Sequence, residues 1–397
     1  MKMAMNSGRP TIAEIDLKAL ASNYKQLKKK MPRGTNILGV VKADAYGHGA
    51  LPVSLELERL GVHSLGVAIS DEGIELRRGG VKTPILILGG VFTPEEVDRI
   101  LTYDLTPVVF EKTTLQRLSK AAERSRKKVS VHIKVDTGLG RLGVPVTVWR
   151  DFVKELRRFP RIETEGLLSH FSMTDEDGGV FSRAQWAKFQ NSVSVAEEMG
   201  VRFKYLHISN SGNLTAFPAF SGNLVRPGIM LYGSYPSPRF RDRIKLQPVM
   251  TLKTRIHFLK EVPPGTRVSY GGTYVTKRKS LIATLPIGYA DGYDCHLANR
   301  GEVLVRGRRV PVVGKVCMDL IMVDVTRVPG VSPGDDVVLM GKQGKERITV
   351  EEIAEKVKTI PYEILCSVGK RVPRVYRGTA ADRPETVQNR MRGGGIA

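Results

Sequence analysis

The feature that most restricts how this chain can fold is a regular alternation of apolar runs with amphipathic segments of helical period. From about residue 36 the alternation repeats eight times before it stops. Because parallel strands need long crossover connections, which are usually helices, eight such units predict an α/β fold in the form of a TIM (β/α)8 barrel. The predicted strands are residues 36–42, 64–69, 84–89, 105–110, 129–136, 162–170, 203–209 and 224–231.

The segments between the strands predict the crossover helices. Thr93 and Ser182 stand directly before two of these helices and are expected to cap their first turns. One more helix, over residues 16–30, is expected before the first strand. The clearest crossover helices are residues 94–101, 112–127, 148–158 and 183–199.

The pattern changes after about residue 246, where short β-rich segments separated by glycine and proline turns replace the alternation. Residues 251–262 have the composition of a strand, and one helix is expected over residues 350–358. The sequence therefore predicts a second, mainly β domain. The expected parts of the chain are the barrel at 1–246, the second domain at 247–380 and a flexible tail at 381–397, with residues 1–12 a candidate for association with the second domain.

The chain is strongly basic, since 62 Lys and Arg residues against 40 Asp and Glu residues leave a formal net charge of +22. The basic residues are spread along the chain, and no RNA-binding, zinc-finger or helix-turn-helix signature accompanies them. A specific nucleic-acid partner is therefore not expected. A basic surface that attracts anionic ligands such as phosphates and carboxylates is the simpler interpretation.

Neither a signal peptide nor a membrane partner is expected. The first ten residues lack a long apolar run, and no later stretch approaches the roughly 18 apolar residues of a membrane span. Cys295, Cys317 and Cys366 form no CxxC pair, which favours free thiols in a reducing compartment and no metal site. The expected location is the cytoplasm.

Barrel enzymes place their reactive groups at the carboxyl ends of the strands, and here those ends are rich in polar residues. Lys42 ends the first apolar strand, a setting in which desolvation lowers the pKa of an ammonium group and frees the amine to form a Schiff base. The alternative for such a lysine is a stem packed on apolar surface with its charge in water. Tyr270, in the second domain, by itself fits packing on a half-buried strand.

Eight longer motifs occur in the order that one enzyme family shows. On these motifs the chain resembles the alanine racemases, the barrel-type racemases that use pyridoxal 5'-phosphate (PLP). The resemblance runs along nearly the whole chain. The motifs are VVKADAYGHG, HIKVDTGLGRLG, HISNSG, VRPGIMLYG, RVSYGGTY, LPIGYADGY, VCMDLIMVDV and YEILCSVGKRVPRVY.

The resemblance implies interconversion of L-alanine and D-alanine through a PLP external aldimine, with Lys42 carrying the cofactor and then acting as one of two bases. An amino-acid Cα proton is too weakly acidic to leave at neutral pH, so the cofactor must accept the developing charge. Inversion also needs a second base on the opposite face, a role that the resemblance gives to Tyr270 from the partner subunit of a homodimer. The implied role in the cell is the supply of D-alanine for peptidoglycan.

The resemblance also assigns the rest of the site. Arg226 is expected at the pyridine nitrogen, where a guanidinium that keeps its proton leaves the ring a weaker electron sink. Arg141 and the backbone N–H of Met318 are expected at the substrate carboxylate, and Lys134 matches a lysine that is often carbamylated in the family. The residues expected to support the site or to line its entrance are His207, Tyr289 and Asp319. The expected cofactor-binding residues are Lys42, Tyr46, His170, Asn210, Ser211, Arg226, Gly228, Ile229 and Tyr362.

One loop departs from the family pattern, because Asp294 and Cys295 follow GYADGY where proline and arginine are expected.

Three alternative functions stay open. The first is a PLP-dependent decarboxylase of the same fold, which would carry a cysteine motif where this chain has SYGGTY, and the second is a PLP carrier protein built from a single barrel. The third is a racemase of broader specificity, in which Tyr289 and Tyr362 set the pocket width and one methylene is worth only about 1–3 kcal/mol.

Overall fold

The barrel has the number and direction of strands that the alternation predicts. The computed structural model of the protein describes residues 8–173 and 178–378. Eight parallel strands follow one another around the barrel, and the eighth pairs with the first. The TIM barrel is therefore confirmed. Numbered one to eight along the chain, the strands are Asn36–Val40, Ser64–Val67, Ile85–Ile87, Thr106–Val109, Val129–Asp136, Ile162–Leu168, Tyr205–His207 and Leu224–Val225.

Helices cover the outside of the barrel. The helix Leu17–Lys30 precedes strand one but packs against the chain after strand eight, where the Asn23 amide donates hydrogen bonds to the Leu231 (3.0 Å) and Gln247 (2.7 Å) carbonyls. It thus takes the place of the eighth helix of the ring. Within the described ranges, no helix is long and apolar enough to cross a membrane. The helices that follow the strands are Ala50–Arg59, Ser70–Arg78, Glu96–Thr102, Lys112–Ser125, Trp149–Leu156, Val180–Glu198 and Ser211–Ala216.

Most predicted strands extend too far at their carboxyl ends. Strand eight ends at Val225 rather than at residue 231, because Pro227 has no backbone N–H for sheet pairing and the apolar residues after it form the 3₁₀ turn Ile229–Tyr232. Strand six likewise ends at Leu168. The other short elements are the strand Val144–Pro145 and the 3₁₀ turns Val146–Val148, Pro218–Phe220, Pro238–Phe240, Tyr270–Gly272, Tyr289–Asp291 and Cys295–Leu297.

Both predicted helix caps were wrong. Helix Glu96–Thr102 begins after Glu95, two residues beyond Thr93. Ser182 lies inside helix Val180–Glu198, and its hydroxyl donates to the Met173 carbonyl rather than capping the first turn. A capping side chain accepts N–H groups of the first turn, so a hydroxyl residue is a cap only where the helix begins directly after it.

The second domain is mainly β, as predicted, and it includes a strand from the start of the chain. Ile12–Asp16 lies between Met250–Arg255, to which it is antiparallel, and Arg374–Arg377, to which it is parallel. This strand leads directly into the helix of the barrel, so the two domains are joined at both ends of the barrel sequence. The other strands are Phe258–Val262, Arg267–Val268, Tyr274–Val275, Ser280–Leu285, Glu302–Val305, Arg308–Pro311, Ile321–Asp324, Asp336–Gln343 and Glu346–Ile348.

Two details of the second domain differ from the prediction. Residues 251–262 belong to two strands rather than one, because the chain passes at Ile256 and His257 from the sheet of Ile12–Asp16 to the sheet of Ser280–Leu285. The predicted helix is present as Val350–Val357, and a second helix, Pro361–Ser367, was missed although proline is favoured at the first helical position. The tail expected over residues 381–397 lies outside the described residues.

Arg309 is the centre of an ion-pair cluster in the second domain, with carboxylates of Glu302 (3.1 Å), Glu346 (3.1 Å) and Glu352 (2.6 Å) around one guanidinium. Because the cluster is a partly buried network rather than an isolated surface pair, we expect Arg309→Ala to lower the free energy of unfolding by about 1–3 kcal/mol. Urea denaturation at low and high salt measures this loss, which should shrink as salt screens the charges.

Arg308→Ala is the matched control, since Arg308 is an exposed neighbour on the same strand, and it should change the free energy of unfolding by no more than about 0.5 kcal/mol. Equal losses in the two variants would contradict the central role of Arg309.

Candidate active site

A cavity of about 500 Å³ lies at the carboxyl ends of the barrel strands. Residues in or directly after every barrel strand except strand four contribute to its wall, and helix Pro361–Ser367 of the second domain adds Tyr362 and Cys366. The structure therefore brings most of the expected site together in one place. The expected residues in the cavity wall are Lys42, Tyr46, Lys134, Arg141, His170, Asn210, Ser211, Arg226, Gly228, Ile229 and Tyr362.

The chain turns sharply after strand one. Lys42 is followed by Ala43–Tyr46, four residues with φ of 52 to 54° and ψ of 44 to 52°, which form a left-handed helical turn. This conformation costs roughly 1–2 kcal/mol for each residue with a side chain. The predicted continuation of strand one to residue 42 was therefore wrong. Through this turn both Lys42 and Tyr46 enter the cavity wall.

Positive charge is concentrated in the cavity. Burial lowers the pKa of Lys42, and the Arg141 cation lowers it further, while Glu72 opposes the shift. Burial, with Arg226 and Arg141 nearby, lowers the pKa of Lys134 to about 8. A lowered pKa increases the neutral fraction of an amine, which can then act as a nucleophile or base, and the cations around these two amines favour an anionic ligand.

Arg226 holds its guanidinium rigidly and almost fully buried. It donates to the carbonyls of Ser169 (2.7 Å), His207 (2.8 Å) and Ile208 (3.1 Å), and to the Nδ1 atoms of His207 (2.9 Å) and His170 (3.1 Å). Both imidazoles must accept at Nδ1, so both are neutral; burial and the Arg226 cation hold their pKa values well below the usual range. Burial also lowers the pKa of Arg226 to about 9. The guanidinium is thus a fixed donor surrounded by neutral acceptors.

Ser211, Gly228, Tyr46 and Tyr362 form a cradle in the same cavity wall as Arg226. The Gly228 N–H donates to the Ser211 hydroxyl at 2.8 Å, and Tyr46 packs its ring against Tyr362 with 5.9 Å between ring centroids. A Cβ on residue 228 would lie 2.5 Å from the Tyr46 hydroxyl, so only glycine fits there without displacement. Asn210 supports this cradle by accepting the N–H of Gly212 at 3.0 Å.

Five expected residues lie outside the cavity wall: His207, which is buried against Arg226, and four residues of the second domain. Tyr270 is 72% exposed, Met318 52% and Tyr289 45%. The Asp319 carboxylate accepts from Arg371 at 2.6 Å. Within a single chain, therefore, Tyr270 is not brought to Lys42.

These exposed residues belong to one surface. The Tyr289 N–H donates to the Cys317 carbonyl at 3.0 Å, next to Met318, and the Ser269 hydroxyl, next to Tyr270, donates to the Lys315 carbonyl at 2.8 Å. In the loop that departs from the family pattern, Asp294 caps the turn Cys295–Leu297, and the Cys295 thiol is exposed.

Sequence reasoning missed residues that support the cavity from behind. His132 Nδ1 lies 2.7 Å from His207 Nε2, and His132 in turn faces Glu165. Its position two residues before Lys134 on strand five was the available signal, because alternate residues of a strand share a face. Glu72 and Cys366 gave no comparable signal.

The comparisons with known proteins account for both domains. Residues 15–236 match the alanine racemase N-terminal domain, and residues 249–376 match the alanine racemase C-terminal domain. The chain belongs to the alanine racemase family. Members of this family are PLP-dependent isomerases, so the chain is an enzyme of that class.

Individual alanine racemases are similar over nearly their full length. The alanine racemase of Halothermothrix orenii is 48% identical over 369 residues, which covers 93% of this chain and 97% of that protein. Among solved structures, the alanine racemase of Streptomyces lavendulae has a TM-score of 0.89 at 34% identity, covering 94% and 98% of the two chains. That of Bacillus anthracis with bound L-Ala-P has a TM-score of 0.88 at 37% identity, covering 94% and 96%.

Proposed function

We propose that this protein is a cytoplasmic alanine racemase that interconverts L-alanine and D-alanine with PLP and supplies D-alanine for peptidoglycan. The observation that carries the proposal is the barrel cavity, in which a lysine with a lowered pKa shares the wall with a rigid buried guanidinium and a cradle that only glycine can complete. The length and order of the matched family domains support the same activity.

The residues of the cavity fit PLP by their chemistry. The Lys42 amine suits its aldehyde, and Arg226 offers a donor for its ring nitrogen. The hydroxyls of Tyr46, Ser211 and Tyr362, with the backbone of Gly228 and Ile229, suit its phosphate. When bound, PLP would withdraw electrons from the Cα atom of the attached amino acid and so make its proton removable.

The surroundings of Arg226 favour proton transfer over other outcomes. All five acceptors of the guanidinium are neutral, so no carboxylate draws its proton away, and even with a pKa near 9 it stays charged at neutral pH. Arg226 would therefore offer a hydrogen bond to the ring nitrogen of bound PLP without giving up its proton. An arginine in this place would leave the ring a weaker acceptor of negative charge, which disfavours transamination and decarboxylation.

Two bases on opposite faces of the substrate would complete the reaction. Lys42, whose lowered pKa increases its neutral fraction, would act on one face and Tyr270 on the other. One removes the Cα proton, as the neutral amine or the phenolate, and the other returns a proton, as the ammonium or the hydroxyl. Arg141, with the Met318 backbone N–H, would hold the substrate carboxylate between them.

The exposure of Tyr270 and Met318 supports a homodimer. Both are exposed and lie outside their own chain's cavity wall, and exposed apolar groups such as Leu320 accompany them. In a two-fold dimer each second domain would present this surface to the partner's cavity, so that Tyr270 of one subunit works with Lys42 of the other.

Lys134 is a candidate for carbamylation, because carbon dioxide reacts with neutral amines and this lysine has a pKa of about 8. A carbamate would place a negative charge beside Arg141, whereas an ammonium group repels it. We expect carbamylation to increase as the pH rises through 8, measured by ¹³C NMR of the purified protein in ¹³C-bicarbonate. Lys134→Arg is the control and should lack the carbamate signal; an unchanged signal in that variant would refute the assignment.

Gly228→Ala tests the phosphate cradle. The added methyl group would displace the Tyr46 hydroxyl, and we expect PLP affinity to fall by about 10-fold or more, measured by fluorescence titration. Gly369→Ala serves as the control, since its added Cβ meets no atom closer than 3.4 Å. Wild-type PLP affinity in Gly228→Ala would place the phosphate elsewhere.

Incubation of the protein and PLP with L-alanine in D₂O tests the proposed function itself. We expect D-alanine that carries deuterium at Cα, identified by chiral chromatography and mass spectrometry, without pyruvate, ethylamine or carbon dioxide. Parallel incubations with L-serine measure the substrate breadth that the pocket allows. The absence of Cα exchange in PLP-saturated protein would reject the racemase function and favour a PLP carrier or a decarboxylase.

A further inference from the structure

The left-handed turn after Lys42 requires an external restraint. Its four members, Ala43–Tyr46, all carry side chains, and together they place several kcal/mol of unfavourable backbone energy next to the catalytic lysine. A segment of this kind persists only where the surrounding structure holds it. The contacts at its two ends therefore decide whether Lys42 and Tyr46 stay in the cavity wall.

Glu72 holds the start of the turn. One oxygen of its carboxylate accepts the Ala43 N–H at 2.7 Å. The other accepts the N–H groups of Ala68 at 2.6 Å and Ile69 at 3.4 Å. A single carboxylate thus ties the residue after Lys42 to the end of strand two, which lies beside strand one in the barrel.

The end of the turn has separate restraints. The Asp44 carboxylate accepts the Ala50 N–H at 2.7 Å, and Arg374 donates to the Gly47 carbonyl at 3.0 Å. Neither reaches Ala43. Among the described side chains, Glu72 is the one that bonds the backbone of the residue directly after Lys42, and hydrogen bonds to an ionised carboxylate are roughly twice as strong as neutral ones.

We propose that Glu72 is a positioning residue, which locks the left-handed turn and so fixes Lys42 and Tyr46 for cofactor binding. The reference to the cofactor rests on the proposed function, whereas the lock itself concerns the backbone alone. Glu72→Gln keeps the size of the side chain but replaces one of the two accepting oxygens by an NH₂ group. This group cannot accept a hydrogen bond, so the N–H groups on one side of the carboxylate lose their partner. Glu75→Gln, on an exposed face of the same helix Ser70–Arg78, is the matched control.

Amide hydrogen exchange of the segment 41–50, in PLP-saturated and in PLP-free protein, measures directly how firmly Glu72 restrains the turn. We expect exchange in Glu72→Gln to be about 10- to 100-fold faster, and PLP affinity to be about 10-fold weaker, with Glu75→Gln unchanged in both. Wild-type exchange and affinity in Glu72→Gln would overturn the proposal.

A second variant separates the lock from a simple charge effect of Glu72 on Lys42. Glycine adopts the left-handed conformation without the side-chain penalty, so Ala43→Gly combined with Glu72→Gln should recover part of the lost PLP affinity. No recovery would show that Glu72 acts through its charge and would overturn the positioning role. Failure of the racemase assay in wild-type protein, with the exchange results as expected, would reject the proposed function and leave the lock intact.

Discussion

Replacement of Lys42 by alanine is expected to abolish racemisation and to release PLP readily from the protein. The side chain is proposed both to bond the cofactor and to move the proton on one face, so its loss removes covalent attachment and a base together. We expect activity to fall by at least about 10⁴-fold, with loss of the visible absorbance of bound PLP after dialysis.

Folding should not limit this variant, because alanine at the residue before the left-handed turn removes a partly buried cation rather than a core contact. The control is Lys188→Ala, an exposed lysine on helix Val180–Glu198, which should keep both activity and absorbance. Activity of Lys42→Ala within 10-fold of wild type, a loss far below the range for a single acid–base group, would show that another group bonds the cofactor.

Tyr270→Phe is expected to have the second-largest effect. Loss of one positioned acid–base group lowers turnover by about 10²- to 10⁴-fold, here in both directions, since inversion needs proton transfer on both faces. PLP affinity should be unchanged, because the residues proposed to hold PLP all lie in the cavity wall and Tyr270 is not one of them. Exchange of the Cα hydrogen with D₂O should persist for one enantiomer, through Lys42.

Tyr274→Phe is the matched control, since this tyrosine lies four residues further on and contacts Asp324 rather than the cavity. It should racemise alanine like wild type. Full racemisation by Tyr270→Phe, or loss of Cα exchange from both enantiomers, would refute the assignment of one base to each face.

Much of the barrel could be predicted because each strand and helix has a strong hydrophobic period of its own. The wrong predictions concern local structure at the ends of strands. Apolar residues after strand eight were read as more strand, although the pairing ends before Pro227 and they pack as the 3₁₀ turn Ile229–Tyr232. The sequence Ala-Asp-Ala-Tyr contains no glycine, and local propensity gives no reason to expect a left-handed turn; that conformation is imposed by contacts from distant residues such as Glu72 and Arg374.

For the site, the sequence predicted the place of the reactive residues better than the role of each one. Barrel topology alone directs attention to strand ends, which is where Lys42, Arg226 and His170 lie. Their individual roles came from the family resemblance, since a lysine or histidine at a strand end has ordinary structural explanations. His132 and Glu72 act through hydrogen bonds that depend on the register of neighbouring strands, which the sequence pattern does not specify.

The most direct test of the central proposal, that Lys42 of one subunit works with Tyr270 of the other, is to mix the two inactive variants. Lys42→Ala and Tyr270→Phe subunits are unfolded, refolded together and assayed for racemisation. If the site is shared, each mixed dimer has one site with both bases intact, and random pairing should restore about a quarter of wild-type activity. If both bases came from the same chain, every site in the mixture would lack one of them. Mass spectrometry shows whether mixed dimers have formed. If they have formed and remain inactive, the proposal is contradicted.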